Sequence, residues 1–270
     1  MSEDPRPPER PAAPDPGLPL PGLGGRKRLS TRRRAWVAVG LGVALVVAVV
    51  AGSVLAVRSG EGPRAVTLPL ADRNASPALL REARAVDFRP PRAAGVGEVE
   101  DDPAVAARPP SSPDLLPVGK QAPPFELRTP TGDAVSLADF RGKAVLLEFF
   151  AAWCPHCAAE APHLRTLAES LPPAKYAFVS VNGSNERPAT VFAYHVYFGL
   201  PFPALLDPDP KQEPPNFPEH GSRGPVSRAY GVGYFPTFYV IDPQGRITWR
   251  SDGEQPDALL RRELERAARG

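Results

Sequence analysis

Ala144-Val145-Leu146-Leu147-Glu148-Phe149-Phe150-Ala151-Ala152-Trp153-Cys154-Pro155-His156-Cys157 joins a strand signal to a pair of cysteines. Its first seven residues, AVLLEFF, form the apolar run that a central strand presents when both sheet faces are covered. Beyond the cysteines, Ala158 to Leu171 has helical spacing, with Leu164, Leu167 and Leu171 on one side. The pair therefore falls at a strand-to-helix junction. Helix N-termini carry unsatisfied N–H groups and a partial positive charge, and both stabilise a thiolate. Cys154 is predicted to be the attacking sulfur, aided by His156 if that ring is cationic. Cys157, one turn into the helix, is predicted to resolve the mixed disulfide.

Other uses of two cysteines and a histidine fit less well. A structural disulfide across two residues hardly constrains the unfolded chain. A zinc site needs four ligands; only His156 and His163 lie nearby, and the chain has no other cysteines. Covalent haem attachment needs a histidine directly after the second cysteine, where Ala158 stands. No metal and no cofactor is implied.

Working outward, Phe125–Arg128 and Ala134–Leu137 read as a hairpin around Thr131-Gly132-Asp133. Tyr176–Val181 is a strand and Pro188–Phe198 a helix. Thr237–Ile241 and Arg246–Trp249 pair around the turn Asp242-Pro243-Gln244-Gly245. A final amphipathic helix starts near Pro256, with Leu259, Leu260 and Leu264 inward. This is an α/β plan, and 117–270 is long enough to bury an adequate core.

The rest of the chain is of another kind. Proline supplies 37 of the 270 residues, too many for one globular domain, since proline cannot donate to a helix or sheet ladder. Residues 1–34 read as a disordered cytoplasmic tail ending in Arg26, Lys27, Arg28, Arg32, Arg33 and Arg34. Residues 35–57 are uncharged and apolar, long enough at ~1.5 Å per residue to cross a ~30 Å hydrocarbon core. The basic cluster before this run puts the N-terminus in the cytoplasm and everything after Val57 outside. An uncleaved signal anchor is expected; a cleaved signal peptide ending near Val54-Leu55-Ala56 is the rival. Residues 58–116 read as a flexible proline-rich tether, with a short helix around Ala78–Arg84. The net charge of +2 makes no case for nucleic-acid binding.

Residues 118–250 resemble the membrane-anchored, thioredoxin-fold thiol–disulfide oxidoreductases of the TlpA/ResA type. The resemblance rests on Val118–Phe125 (VGKQAPPF), Leu137–Lys143 (LADFRGK), Leu147–Trp153 (LEFFAAW), Cys154–Pro162 and Tyr230–Phe238 (YGVGYFPTF). It implies a central mixed sheet flanked by helices, carried by the N-terminal transmembrane helix. It also implies that Pro236 is a cis-proline facing the active disulfide, turning the Phe235 backbone toward a substrate strand beside Cys154; an ordinary turn proline is the plainer reading. Trp153, Pro155, His156, Phe235, Pro236 and Thr237 make up the implied substrate-contacting set. Glu148 stands where thioredoxins keep a buried acid, and Glu160 completes a Cys-x-x-Cys-x-x-Glu-x-Pro pattern. Either can take the proton of Cys157 if desolvated, although Glu160 also fits a solvated first-turn acid. Pro210–Gly224 (PKQEPPNFPEHGSRG) departs from the family and reads as an inserted loop.

The function implied is an extracytoplasmic, inner-membrane-anchored oxidoreductase acting on protein thiols and disulfides. It would be recharged by an upstream membrane redox partner. The resemblance favours a reductase, for instance in cytochrome c maturation, whereas the Pro155-His156 dipeptide pulls toward a DsbA-type oxidase. A peroxiredoxin shares the opening, but its Pro-x-x-x-Thr-x-x-Cys loop is replaced by Leu147 and Ala151 before Cys154. A copper-delivery module would use both cysteines and a histidine.

Overall fold

The computed structural model describes residues 74–93, 96, 110 and 112–270. All of them belong to the second of two compact units, Met1–Gly62 and Pro63–Gly270. The elements run α1 (Pro77–Val86), β1 (Glu126–Arg128), β2 (Ala134–Ser136), a 3₁₀ turn (Leu137–Phe140), β3 (Ala144–Phe150), α2 (Pro155–Ser170) and β4 (Tyr176–Asn182). There follow α3 (Pro188–Phe198), β5 (Ala204–Leu206), α4 (Pro225–Ala229), β6 (Thr237–Ile241), β7 (Ile247–Asp252) and α5 (Asp257–Ala267).

One mixed sheet has the strand order β2-β1-β5-β4-β3-β6-β7. β3 lies parallel to β4 and antiparallel to β6, and every one of its residues is buried. Alternate side chains of a strand point to opposite faces, which separates two cores. Leu146 and Phe150 pack with Cys154, Cys157, Leu164, Tyr194 and Leu260 on the face covered by α2, α3 and α5. Val145, Leu147 and Phe149 pack with Phe125, Val181, Tyr230 and Tyr239 on the other. By the same parity Glu148 lies on the cysteine side. This is a thioredoxin-like α/β fold, and the predicted hairpin, strands and helices are all present. α2 begins three residues earlier than its leucine spacing predicts, because Cys154 caps it and Pro155 takes a first-turn position whose N–H has no intrahelical partner. β5 escaped the reading, being too short to show a period.

The short helix expected around Ala78–Arg84 is present as α1, and both it and residues 112–116 are docked on the domain. Ser76 caps α1, its hydroxyl accepting the Leu79 N–H at 3.1 Å. Leu79 is buried against Ala189 and Phe192 of α3. Phe88 enters an aromatic group with Tyr194, Tyr197, Phe198 and Phe217, centroids 5.3 to 6.2 Å away. A ten-residue helix has too few apolar positions to announce such a dock; α3 supplies the other half of the surface. Near the domain start, the Ser112 N–H donates to Asp252 at 2.7 Å and Leu116 N–H to the Tyr239 hydroxyl at 3.0 Å. Arg250 donates to the carbonyls of Leu115 and Leu116 at 2.5 and 2.7 Å.

Among the described residues no helix is long and apolar enough to cross a membrane. The predicted tail 1–34, the span 35–57 and much of 58–116 lie outside them.

Phe88→Ala removes the ring that joins α1 to α3 and to the inserted loop. It is expected to lower the unfolding free energy by about 3 kcal/mol, measured by urea denaturation; a change under about 0.5 kcal/mol would show the dock to be incidental.

Candidate active site

β3 ends at Phe150, and Ala151–Trp153 carry the chain across to α2, leaving Cys154 at its N-cap. Both cysteines are free thiols, so this is the dithiol form. Cys154 is 3% exposed and Cys157 fully buried. The Cys154 thiol points at the Phe235 carbonyl oxygen, 3.4 Å away. The hydrogen bond from the Cys157 thiol, then those from the backbone N–H groups of Cys157 and His156 and the charge of His156, outweigh burial and hold Cys154 down at about 7. Burial, followed by the neighbouring Cys154, pushes Cys157 well above the usual thiol range. One sulfur is poised as a thiolate while the other keeps its proton.

Two predicted acids lie behind the pair. Glu148 is 2% exposed, and one of its oxygens accepts the Ser180 hydroxyl from the facing position on β4. Burial, with a smaller contribution from Cys154, raises it to about 7. Glu160 is equally buried, which replaces the solvated first-turn reading. It accepts the Gln255 N–H at 3.1 Å, and burial above all holds it well above the carboxylate range. One oxygen of each acid has no hydrogen-bond partner. Of the two acids, Glu148 is the one coupled electrostatically to both sulfurs.

Trp153 is half-buried on the rim, its indole N–H donating to Ser184 at 2.7 Å and its ring meeting Phe235 edge-on at 5.9 Å. The Phe235–Pro236 peptide is cis. Gly183 is where the backbone must pass under this group: a β-carbon there would come within 2.8 Å of the Phe235 ring and of the Ser227 hydroxyl. Pro155 is half-buried and His156 exposed, its Nδ1 lying 2.5 Å from Glu254. Thr237 is a correction to the substrate-contacting set. It is fully buried, and its hydroxyl donates to the Tyr234 carbonyl at 2.7 Å, so it braces the loop instead of facing outward.

Glu186 was missed. Its buried carboxylate accepts the Ala152 N–H at 2.8 Å and the Asn182 amide at 2.6 Å, and burial raises it to about 7. It therefore holds the backbone just before Cys154. It lies 34 residues along the chain from Ala152, and no local pattern marks that. Among the described residues no three His, Cys, Asp or Glu side chains gather as a metal site.

The sequence has named relatives. The thioredoxin-like protein YneN of Bacillus subtilis (strain 168) is 34% identical over 131 residues, covering 48% of this chain and 68% of YneN. The thiol-disulfide oxidoreductase ResA of Geobacillus thermodenitrificans (strain NG80-2) is 30% identical over 148 residues, 55% of this chain and 76% of the relative. The chain belongs to the TlpA/ResA-like family of thiol–disulfide oxidoreductases. As a member it is a thiol–disulfide oxidoreductase acting on protein thiols. The AhpC/TSA family profile matches residues 118–213. A crystal structure of a thiol:disulfide interchange protein, thioredoxin family protein, from Chlorobium tepidum TLS aligns at 25% identity and a TM-score of 0.44, over 57% of this chain and 99% of that one.

Two outcomes follow from the buried acids. In the folded chain Glu148 keeps its proton to about 7, against an ordinary 4.5, so between those values the native state binds a proton that the unfolded chain has released. Stability contributed below pH 4.5 is then lost as pH rises through 7. Glu148→Gln should flatten that decline by up to about 3 kcal/mol, read from urea unfolding of the dithiol form at pH 5 and pH 8; an unaltered slope would exclude Glu148 as its source. Glu186→Ala strands two buried donors and should cost about 1–3 kcal/mol by the same assay.

Proposed function

We propose that this oxidoreductase is a reductase of partner-protein disulfides, anchored in the inner membrane by residues 35–57 with its redox domain on the extracytoplasmic side. The uncharged apolar run and the basic cluster before it support the anchor and its orientation. A role in keeping partner cysteines reduced, such as in cytochrome c maturation, accords with the family.

The carrying observation is the division of labour between the thiols beside the Phe235 carbonyl. Cys154 thiolate attacks one sulfur of a partner disulfide, forming a mixed disulfide and releasing the other partner sulfur as a thiolate that takes up a proton. Cys157 then loses its proton to Glu148, which shares the buried acidic pocket with Glu160, and attacks the Cys154 sulfur. The Cys154–Cys157 bond forms as the second partner sulfur leaves. The partner gains two electrons and two protons, and an upstream membrane dithiol restores the reduced state. Phe235 and Pro236 position the partner backbone, with Trp153, Pro155 and His156 at the rim.

The modest depression of Cys154 supports this direction. A thiol held at about 7 is only mildly stabilised as thiolate, whereas strong oxidants depress theirs by several units more. Glu254 sits against His156, and we propose that its carboxylate offsets any positive charge the imidazole presents to Cys154.

The reduction potential should lie below about −250 mV; a value near −120 mV would make the chain an oxidase instead. Rapid peroxide consumption by the reduced chain would replace the reading with a thiol peroxidase. Cys157→Ser should accumulate a mixed disulfide through Cys154, visible on non-reducing gels, and Cys154→Ser should abolish it. Glu254→Gln should move the midpoint of Cys154 alkylation with pH downward and the potential upward; opposite or absent shifts would remove Glu254 from the account.

A further inference from the structure

Between β5 and α4 the insertion Pro210–Gly224 contains no helix or strand, yet it is fastened at several points. The Asn185 amide donates to the Gln212 carbonyl at 3.0 Å. Phe217 rests on Phe88 with centroids 5.3 Å apart. The Gly221 N–H donates at 3.3 Å to the Ser184 hydroxyl that also accepts the Trp153 indole N–H. A β-carbon at Gly221 would fall 1.8 Å from the Ser184 carbonyl oxygen, so the loop is seated directly on the backbone below it.

The seated loop delivers two side chains to the cysteine. His220 stacks on Trp153, centroids 3.7 Å apart and planes 20° from parallel. Arg223 lies 5.8 Å over the Phe235 ring and donates to the Gly233 carbonyl. Both are exposed. Trp153 and Phe235 touch each other, and the Phe235 carbonyl meets the Cys154 thiol. The two loop side chains therefore border the place where a partner's backbone and sulfur must lie.

The charges around that place are unevenly arranged. Glu254 stands on the α2 side, against His156. On the loop side Arg228 is engaged by Asp209 at 3.6 Å, and Glu213 and Glu219 are exposed along the loop. Among the described residues no carboxylate pairs with Arg223. A guanidinium has five N–H donors in a fixed fork suited to a carboxylate, and among the described residues Arg223 uses one bond, to the Gly233 carbonyl.

We infer that the 210–224 loop is a substrate-selecting wall, in which Arg223, backed by His220 on Trp153, favours partner polypeptides carrying a carboxylate next to the cysteine that Cys154 attacks. The inference rests on the proposed action on partner disulfides and names the chemical class of partner.

The test uses the purified full-length chain and three disulfide peptides that differ only in the residue beside the cysteine: Glu, Gln or Lys. Single-turnover rate constants should rank Glu above Gln above Lys, with about a three- to fivefold spread between the extremes, as for one exposed ion pair. Arg223→Gln should bring the spread within twofold, as should 0.5 M sodium chloride, which screens the pair. Gly221→Val, which unseats the loop, should do the same in a chain that keeps Arg223. Equal rates for the three peptides, or a spread untouched by Arg223→Gln, would overturn the wall while leaving the reductase standing. No reaction with any peptide would overturn both.

Discussion

Covering β3 on both faces constrains everything at the cysteines. A strand in that position has no solvent beside it, so Glu148 is forced into the core, where ionisation is costly and its proton persists to about neutrality. The sheet's continuation places the two sulfurs on the same side as that carboxyl. Exposed at the same position, Glu148 would keep its ordinary pKa and be too weak a base to take up a thiol's proton effectively at neutral pH. Cys157 shares the burial and keeps its own proton for the same reason. Cys154 escapes it because the Cys157 thiol, two backbone N–H groups in the first turn of α2 and the charge of His156 favour its thiolate. The split between the thiols is therefore a product of depth measured against a helix terminus.

A second consequence is that the active loop must be supported from distant parts of the chain. Ala151–Trp153 carry the chain from a buried strand to a buried helix start, and a buried N–H without a partner is costly. Glu186 satisfies one N–H from beyond β4, Ser184 takes the Trp153 indole, and Phe235 receives the thiol from before β6. The insertion reaches the same rim through His220 and Arg223, and it leans through Phe217 on Phe88 after α1. Segments far from the cysteines along the chain thus bear on the surface a partner meets.

Much of this was legible in the order of residues. AVLLEFF reads as a doubly covered strand, and counting by twos along it already puts Glu148 on the face of Leu146 and Phe150. The Cys154-Pro155-His156-Cys157 run reads as a helix start because its chemistry depends on local N–H groups. Thr237 was misread because being next to Pro236 says nothing about which way a side chain points; its pairing opposite Phe149 turns it inward. Glu186 and the docking of α1 on α3 were missed for a shared reason: each acts on a segment far along the chain, without a periodic or motif signal of its own.

What the sequence alone determined is the reaction chemistry and the strand-and-helix plan, because both rest on spacing over a few residues. Only the tertiary structure decided how deep each acid lies, which carboxyl reaches both sulfurs, and what borders the reacting thiol. Burial and charge pairing are set by contacts between segments tens of residues apart. The desolvation that moves Glu148 and the seat that brings Arg223 over Phe235 exist only once β3, β4, β6 and the inserted loop have come together.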